Sequence, residues 1–305
     1  MVRILVLGAG AIGGYFGGRL AAAGVDISFL VRPQRAELLA RDGLRVKSPL
    51  GDLALPVKTV LREQVGPGYD AILLSCKSYD LDDAIEAIRP AVPGAVIFPL
   101  LNGILHLDRL DAAFGRAAVG GGVAALFVTM EPDGTVRHQG NVQNFVFGER
   151  DPAQAARCEA LAPELARGGF SPRHSNEIVQ DMWEKFVFIC SAMAMCCLMR
   201  GSVGEVAKTD NGAALMLEMI DDCAAVAAAA GYPQRPAHVE FTRKALTDPA
   251  SPNAPSMLRD LRQGFQVEAQ HVVGDMLARA RAAGRAATLL RAAYAHLQVY
   301  QAGRS

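Results

Sequence analysis

The chain has 305 residues, 51% of them apolar and 20% charged, so it can bury sizeable cores, is not disordered, and is long enough for two domains. Lysine plus arginine equals aspartate plus glutamate at 31 each, a formal net charge of zero. That balance excludes a globally basic nucleic-acid binder and gives no support to a polybasic membrane binder.

Residues 4–7 form a short aliphatic run, the pattern of a buried parallel strand. Gly8-Ala9-Gly10-Ala11-Ile12-Gly13 follows at once, then a predicted helix over 14–23 ending at Gly24, and a second strand over 25–31. Strand, glycine turn, helix and strand within this length make a βαβ unit, which implies parallel strands. The alternation continues with a helix over 33–41, a strand over 69–75, a helix over 81–88, a strand over 95–100 and a helix over 105–113. Residues 123–129 and 135–139 then read as a hairpin around Asp133-Gly134, with a further strand over 143–147. A helix over 152–166 ends at Gly168-Gly169. After Asn176 strand signals nearly vanish, and 177–199, 212–230, 237–246 and 258–283 each read as one helix. The domain boundary therefore falls near 170–178.

Glycines at 8, 10, 13, 14, 17 and 18 break the apolar start of the chain, which does not continue as a signal peptide. The longest nearly apolar run, 186–199, falls short of the ~20 residues needed to cross a bilayer and reads as a buried helix. Six cysteines show no metal-ligand or CxxC spacing and mostly sit in apolar stretches, as thiols of a reduced compartment do. The six histidines are scattered too, so no metal site is expected. The expectation is a cytoplasmic protein with no nucleic-acid or membrane partner. Its long apolar helices could bury a face in a homodimer or equally pack within the domain.

The Gly8-x-Gly10-x-x-Gly13 loop carries the first chemistry. Gly8 allows the tight turn, Gly10 lets the backbone approach a pyrophosphate, and Gly13 permits close packing of helix on strand. The following helix N-terminus points N–H groups at the phosphates. The second strand ends Phe29-Leu30-Val31-Arg32 with no acid to take a ribose 2′-hydroxyl. Arg32 could pair with a 2′-phosphate, assisted by Arg35, which favours NADP(H) over NAD(H). Lys77 and Asn102 follow later strands, where a doubly wound sheet binds ligands.

The segments ILVLGAGAIGGYFGGRLAAAG, LVRPQR, LLSCKS, LLNG, DMWEKF and PSMLRDLRQGFQVE, in this order and spacing, resemble the ketopantoate reductase (2-dehydropantoate 2-reductase) family along nearly the whole chain. The resemblance implies an α/β fold: an N-terminal Rossmann dinucleotide-binding domain over 1–175, then an all-helical C-terminal domain over 176–305 that holds the substrate and catalytic residues. It implies NADPH-dependent reduction of a 2-keto acid to a 2-hydroxy acid, with 2-dehydropantoate as the default substrate. Lys185 matches the catalytic lysine and Glu268 a glutamate beside it. Ser256 matches a substrate-binding serine that by itself would read as a helix cap, and Asn102 an asparagine between nicotinamide and substrate. Arg32 and Lys77 match the basic residues that contact NADP.

Two asparagines usual in the family, four and eight residues after the lysine, are here Ile189 and Met193, and a third is replaced by Val203. The substrate wall is thereby more apolar, which keeps the reaction type and opens the door to a less polar keto acid. Two alternatives stand beside this reading: an NADP-sensing module that has lost catalysis, and another two-domain hydroxy-acid dehydrogenase.

Overall fold

A computed structural model of the chain describes residues 2–304. By its internal contacts the chain forms two units. One takes the chain as far as Leu101 and again over His106–Val179; the other takes Asn102–Leu105 and everything from Gln180 onward.

The first unit runs β1 (Arg3–Leu7), α1 (Ala11–Ala22), β2 (Asp26–Leu30), α2 (Pro33–Asp42), β3 (Leu44–Lys47), β4 (Leu53–Leu55), β5 (Thr59–Val60), β6 (Ala71–Leu74), α3 (Leu81–Ile88), β7 (Val96–Pro99), α4 (Leu105–Phe114), β8 (Gly121–Met130), β9 (Val136–Gly148), α5 (Ala155–Ala166) and β10 (Pro172–His174). Five strands make a parallel sheet in the order β5-β2-β1-β6-β7. β1, β6 and β7 are nearly continuous buried aliphatic runs, as strands covered on both faces must be. β2 and β6 flank β1, so the segments leaving these three strands gather at one edge of the sheet.

A second sheet has β9 antiparallel to β8 and parallel to β3 and β10, with β4 on β3. The Asp133 carboxylate closes the β8–β9 turn by accepting from the Thr135 N–H and hydroxyl. Phe16 of α1 meets Phe145 and Phe170 edge-on, at centroid separations of 5.0 and 4.9 Å, which joins helix and second sheet in one core.

The second unit is helical: α6 (Ile178–Met199), α7 (Val203–Ala207), α8 (Gly212–Ala229), α9 (Pro236–Leu246), α10 (Ser256–Arg262), α11 (Asp275–Ala282) and α12 (Thr288–Ala302). α6 is long and apolar enough to span a membrane by length and composition, but most of its apolar window is buried inside the protein. The five cysteines Cys158, Cys190, Cys196, Cys197 and Cys223 are fully buried. Burial pushes the Cys196 and Cys197 thiols up to about 12, which leaves that vicinal pair inert.

The structure corrects several sequence expectations. Strands β3, β4, β5 and β10 are two to four residues long, too short to show a period. The strands read over 135–139 and 143–147 are one, β9, carried past Gly140 with a register shift opposite Leu126/Phe127. Short α7 and the C-terminal α12 went unread. Residues 258–283 are not one helix. α10 stops at Arg262, Gly264 turns the chain at φ +75°, and a π-helical turn over Gln270–Gly274 precedes α11.

Candidate active site

The glycine loop leaves β1 with Gly8 at φ +89°, a conformation that side-chain-bearing residues rarely adopt. A Cβ on Gly13 would lie 2.1 Å from the Gly8 carbonyl oxygen and 2.3 Å from Ser75 Oγ, so only glycine lets α1 start this close to the sheet. A Cβ on Gly10 would meet nothing within 4 Å; the backbone there faces open space, as a loop that admits a pyrophosphate must. Ala11 and Ile12 open α1, whose first turn carries no acidic residue to repel phosphate. These features fit a dinucleotide.

Two side chains brace the loop. Ser75, just after β6, donates its hydroxyl to the Leu7 carbonyl at 2.8 Å. Arg35 donates from Nε and Nη2 to the Ala9 carbonyl at 3.1 and 2.9 Å, and from Nη2 to Gly134 at 3.0 Å. The sequence suggested that Arg35 assists with a phosphate; its guanidinium instead ties the loop to the β8–β9 turn. Arg32, at the N-cap of α2, is exposed and pairs with Asp80 at 3.0 Å and Asp83 at 3.6 Å. Its hydrogen bond to Asp80 raises its pKa further. Lys77 leaves β6 and caps the short 3-10 turn Ser78–Asp80, its carbonyl accepting from the Asp80 N–H at 3.0 Å.

Lys185, Ile189, Met193, Ser256, Glu268 and Asn102 all belong to the second unit. Lys185 sits in the third turn of α6 and is only partly exposed. Burial lowers its pKa to about 8, against the opposing pull of Glu268. Glu268 is 8% exposed, so it is not a helix-surface carboxylate. It lies in the irregular segment ahead of the π-helical turn, and π-turns gather at functional sites. α12 anchors that segment: the Tyr300 hydroxyl donates to the Phe265 carbonyl at 2.7 Å, and Gln301 Oε1 accepts from the Val267 N–H at 3.3 Å.

Asn102 reaches the same neighbourhood through Gly103. Gly103 has φ +75°, and a Cβ there would lie 3.1 Å from the His271 carbonyl oxygen and 3.7 Å from Phe186. Phe186 adjoins Lys185 and His271 is three residues past Glu268, so this loop packs on both segments.

On the neighbouring face of α6, Asp181 and Glu184 are buried carboxylates. Arg235 binds both: Nη2 meets Asp181 Oδ1, while Nη2 and Nε meet Glu184 at 2.7 and 2.8 Å. Burial alone would raise the Glu184 pKa; the Arg235 side-chain and backbone hydrogen bonds outweigh it and hold the pKa down. Phe188 stacks on exposed Phe241 at 5.7 Å.

Other candidates sit differently than expected. Met193 has no exposed surface: one turn beyond partly exposed Ile189, α6 is enclosed, so Met193 is core and not a substrate wall. Val203 is buried and donates its N–H to the Asn253 carbonyl at 2.9 Å. Ser256 is the first residue of α10, and Pro255 takes the capping position, so Ser256 is not a cap.

Sequence spacing pointed to no metal ligands, yet the fold gathers Glu149, Cys158 and His174 with ligand atoms within 4.8 Å of one another. His174 Nε2 is 2.8 Å from both Glu149 oxygens, and burial together with Glu149 pushes the Cys158 thiol up to about 12. The three side chains form one group, with Cys158 buried and Glu149 and His174 partly exposed.

Two family models match the chain: Ketopantoate reductase PanE/ApbA over residues 4–152, and its C-terminal counterpart over 177–301. An oxidoreductase of Bacillus subtilis (strain 168), YkpB, described as uncharacterized, is 32% identical over 302 residues, covering 99% of each chain. The crystal structure of a 2-dehydropantoate 2-reductase from Geobacter metallireducens GS-15 superposes with a TM-score of 0.89 at 30% identity, covering 98% of this chain and 99% of that one. A D-mandelate dehydrogenase solved with NADH and anilino(oxo)acetate has the same fold, with a TM-score of 0.89 at 20% identity and 99% coverage of both chains.

Proposed function

Because the chain belongs to the ketopantoate reductase family of oxidoreductases, we propose that it reduces the carbonyl of a small 2-keto acid to a hydroxyl with NADPH. The observation that carries this reading is Lys185, a desolvated ammonium with a pKa of about 8, influenced by Glu268 and set in the unit that also holds Asn102 and Ser256.

The bound dinucleotide supplies the hydride. Gly8, Gly10 and Gly13 admit its pyrophosphate to the α1 N-terminus, and Arg32 and Lys77 take its adenosine end. Lys185 donates a hydrogen bond to the substrate carbonyl oxygen and gives up a proton as negative charge develops there. A pKa of about 8 suits this task, because the ammonium is still the main form at neutral pH and yields its proton more readily than an ordinary lysine. Glu268 keeps Lys185 charged and oriented. Ser256 binds the substrate, and Asn102 lies between it and the nicotinamide.

The default substrate is 2-dehydropantoate. Phe188 and Ile189, the half-buried residues that follow Lys185 on α6, offer no hydrogen-bonding side chain. They favour a keto acid with a less polar substituent. Steady-state turnover of NADPH with 2-dehydropantoate and a panel of apolar 2-keto acids tests the proposal. Lys185→Ala is expected to lose about 10²–10⁴-fold in kcat with nearly unchanged NADPH affinity. Protein that binds NADPH and turns over no member of the panel would refute it.

A further inference from the structure

The carboxylate that dinucleotide sites commonly place at the end of the second strand is absent here, where Arg32 stands. The structure returns one from elsewhere. Asp80 comes from the turn after β6, and its Oδ1 lies 3.0 Å from Arg32 Nη2. β2 and β6 are the two neighbours of β1 and are not paired with each other. Strands so placed lie about 9–10 Å apart. The Arg32–Asp80 pair therefore bridges the carboxyl end of β1, above the glycine turn that begins at Gly8. That is the crevice in which an open α/β sheet holds its ligand.

A phosphate on the ribose 2′ position would need the Arg32 guanidinium and would face the Asp80 carboxylate. A free 2′-hydroxyl would find in Asp80 an acceptor that the Arg32 hydrogen bond holds in place. We propose that Asp80 is a specificity-determining residue that accepts the adenosine 2′-hydroxyl of NADH, so that the Arg32–Asp80 pair serves both NADPH and NADH. The inference rests on the dinucleotide reading above. Neither ligand meets a locked gate, because Arg32 keeps 70% of its side-chain surface exposed, and exposed pairs of this kind hold only weakly. Asp83, 3.6 Å from Arg32, adds negative charge but also pairs with Arg62 at 2.8 Å. Asp82 pairs with Arg109 instead and provides an internal control.

The test is dissociation constants for NADPH and NADH, read by fluorescence titration of wild type, Asp80→Asn, Asp82→Asn and Arg32→Ala, each checked for an unchanged melting temperature. Asp80→Asn should tighten NADPH and weaken NADH, moving the ratio of the two constants by about tenfold or more toward NADPH, a double change of one charge contact and one hydrogen bond. Asp82→Asn should leave the ratio within twofold of wild type. Arg32→Ala should weaken NADPH at least tenfold and NADH less. An unchanged ratio in Asp80→Asn, with NADPH still bound by wild type, overturns the role of Asp80 and leaves the dinucleotide site standing. Failure of wild type to bind either dinucleotide overturns both.

Discussion

The pH dependence of keto-acid reduction puts the role of Lys185 to the sharpest test. Burial lowers this lysine from 10.5 to about 8, which corresponds to about 3 kcal/mol between its charged and neutral forms. At pH 7 about nine-tenths of the molecules then carry the ammonium; at pH 9 only about one-tenth do. If the ammonium donates to the substrate oxygen, kcat/KM for reduction should hold level to about pH 7.5 and then fall tenfold per pH unit. Glu268 raises the lysine pKa, so Glu268→Gln should move the falling limb to lower pH. Lys185→Arg, whose guanidinium stays charged throughout, should abolish the limb even where it lowers the rate. The assay is initial rates at subsaturating keto acid from pH 6 to 10.5 with saturating dinucleotide. A limb at pH 10 or above, or one that Glu268→Gln leaves in place or moves upward, would refute the reasoning.

The same group links pH to stability. Between about 8 and 10.5 the unfolded chain holds a proton on Lys185 that the folded chain has released, so stability rises with pH across that window. The rise is up to about 3 kcal/mol, and wild type minus Lys185→Met in urea unfolding at pH 7.5 and 10.5 should show it. Gly13→Ala pushes a Cβ to 2.1 Å from the Gly8 oxygen and should cost about 1–3 kcal/mol along with dinucleotide binding. Gly10→Ala faces open space, so it should leave the melting temperature unchanged and still weaken dinucleotide binding in a titration. Arg235→Met strands the buried carboxylates Asp181 and Glu184. Because Arg235 is itself 43% exposed, the loss in urea unfolding should fall at or below the lower end of the ~3–5 kcal/mol typical of a broken buried pair.

The sequence showed most where one stretch of chain is enough to decide. The glycine loop states its own geometry, since positive φ at Gly8 and the tight fit at Gly13 are properties of consecutive residues between a strand and a helix. Helices such as α3 and α8 announce themselves through their apolar period. What stayed hidden depends on partners distant in the chain. Arg35 looked like a ligand contact because nothing nearby reveals that Gly134, 99 residues on, takes its guanidinium. Asp80 carries no signal of its own in the sequence, since its place opposite Arg32 exists only once β6 lies beside β1. Glu268 read as a point on a long helix, because the amphipathic pattern from 258 onward runs through Gly264 and a π-turn without interruption. Met193 shares the Lys185 helix, but its burial is decided by packing that a helical period cannot report.

The assignment of Asn102–Leu105 to the helical unit has a consequence for inheritance. The chain passes from one unit to the other three times, at 101/102, 105/106 and 179/180, so no single cut separates them. A recombination event that replaced everything after residue 180 would bring in a new lysine, serine and glutamate together. It would leave behind the old segment that rests on Phe186 and His271. Hybrids of two relatives should therefore work only when residues 102–105 travel with the C-terminal half, although the linear order of the chain places them in the other half.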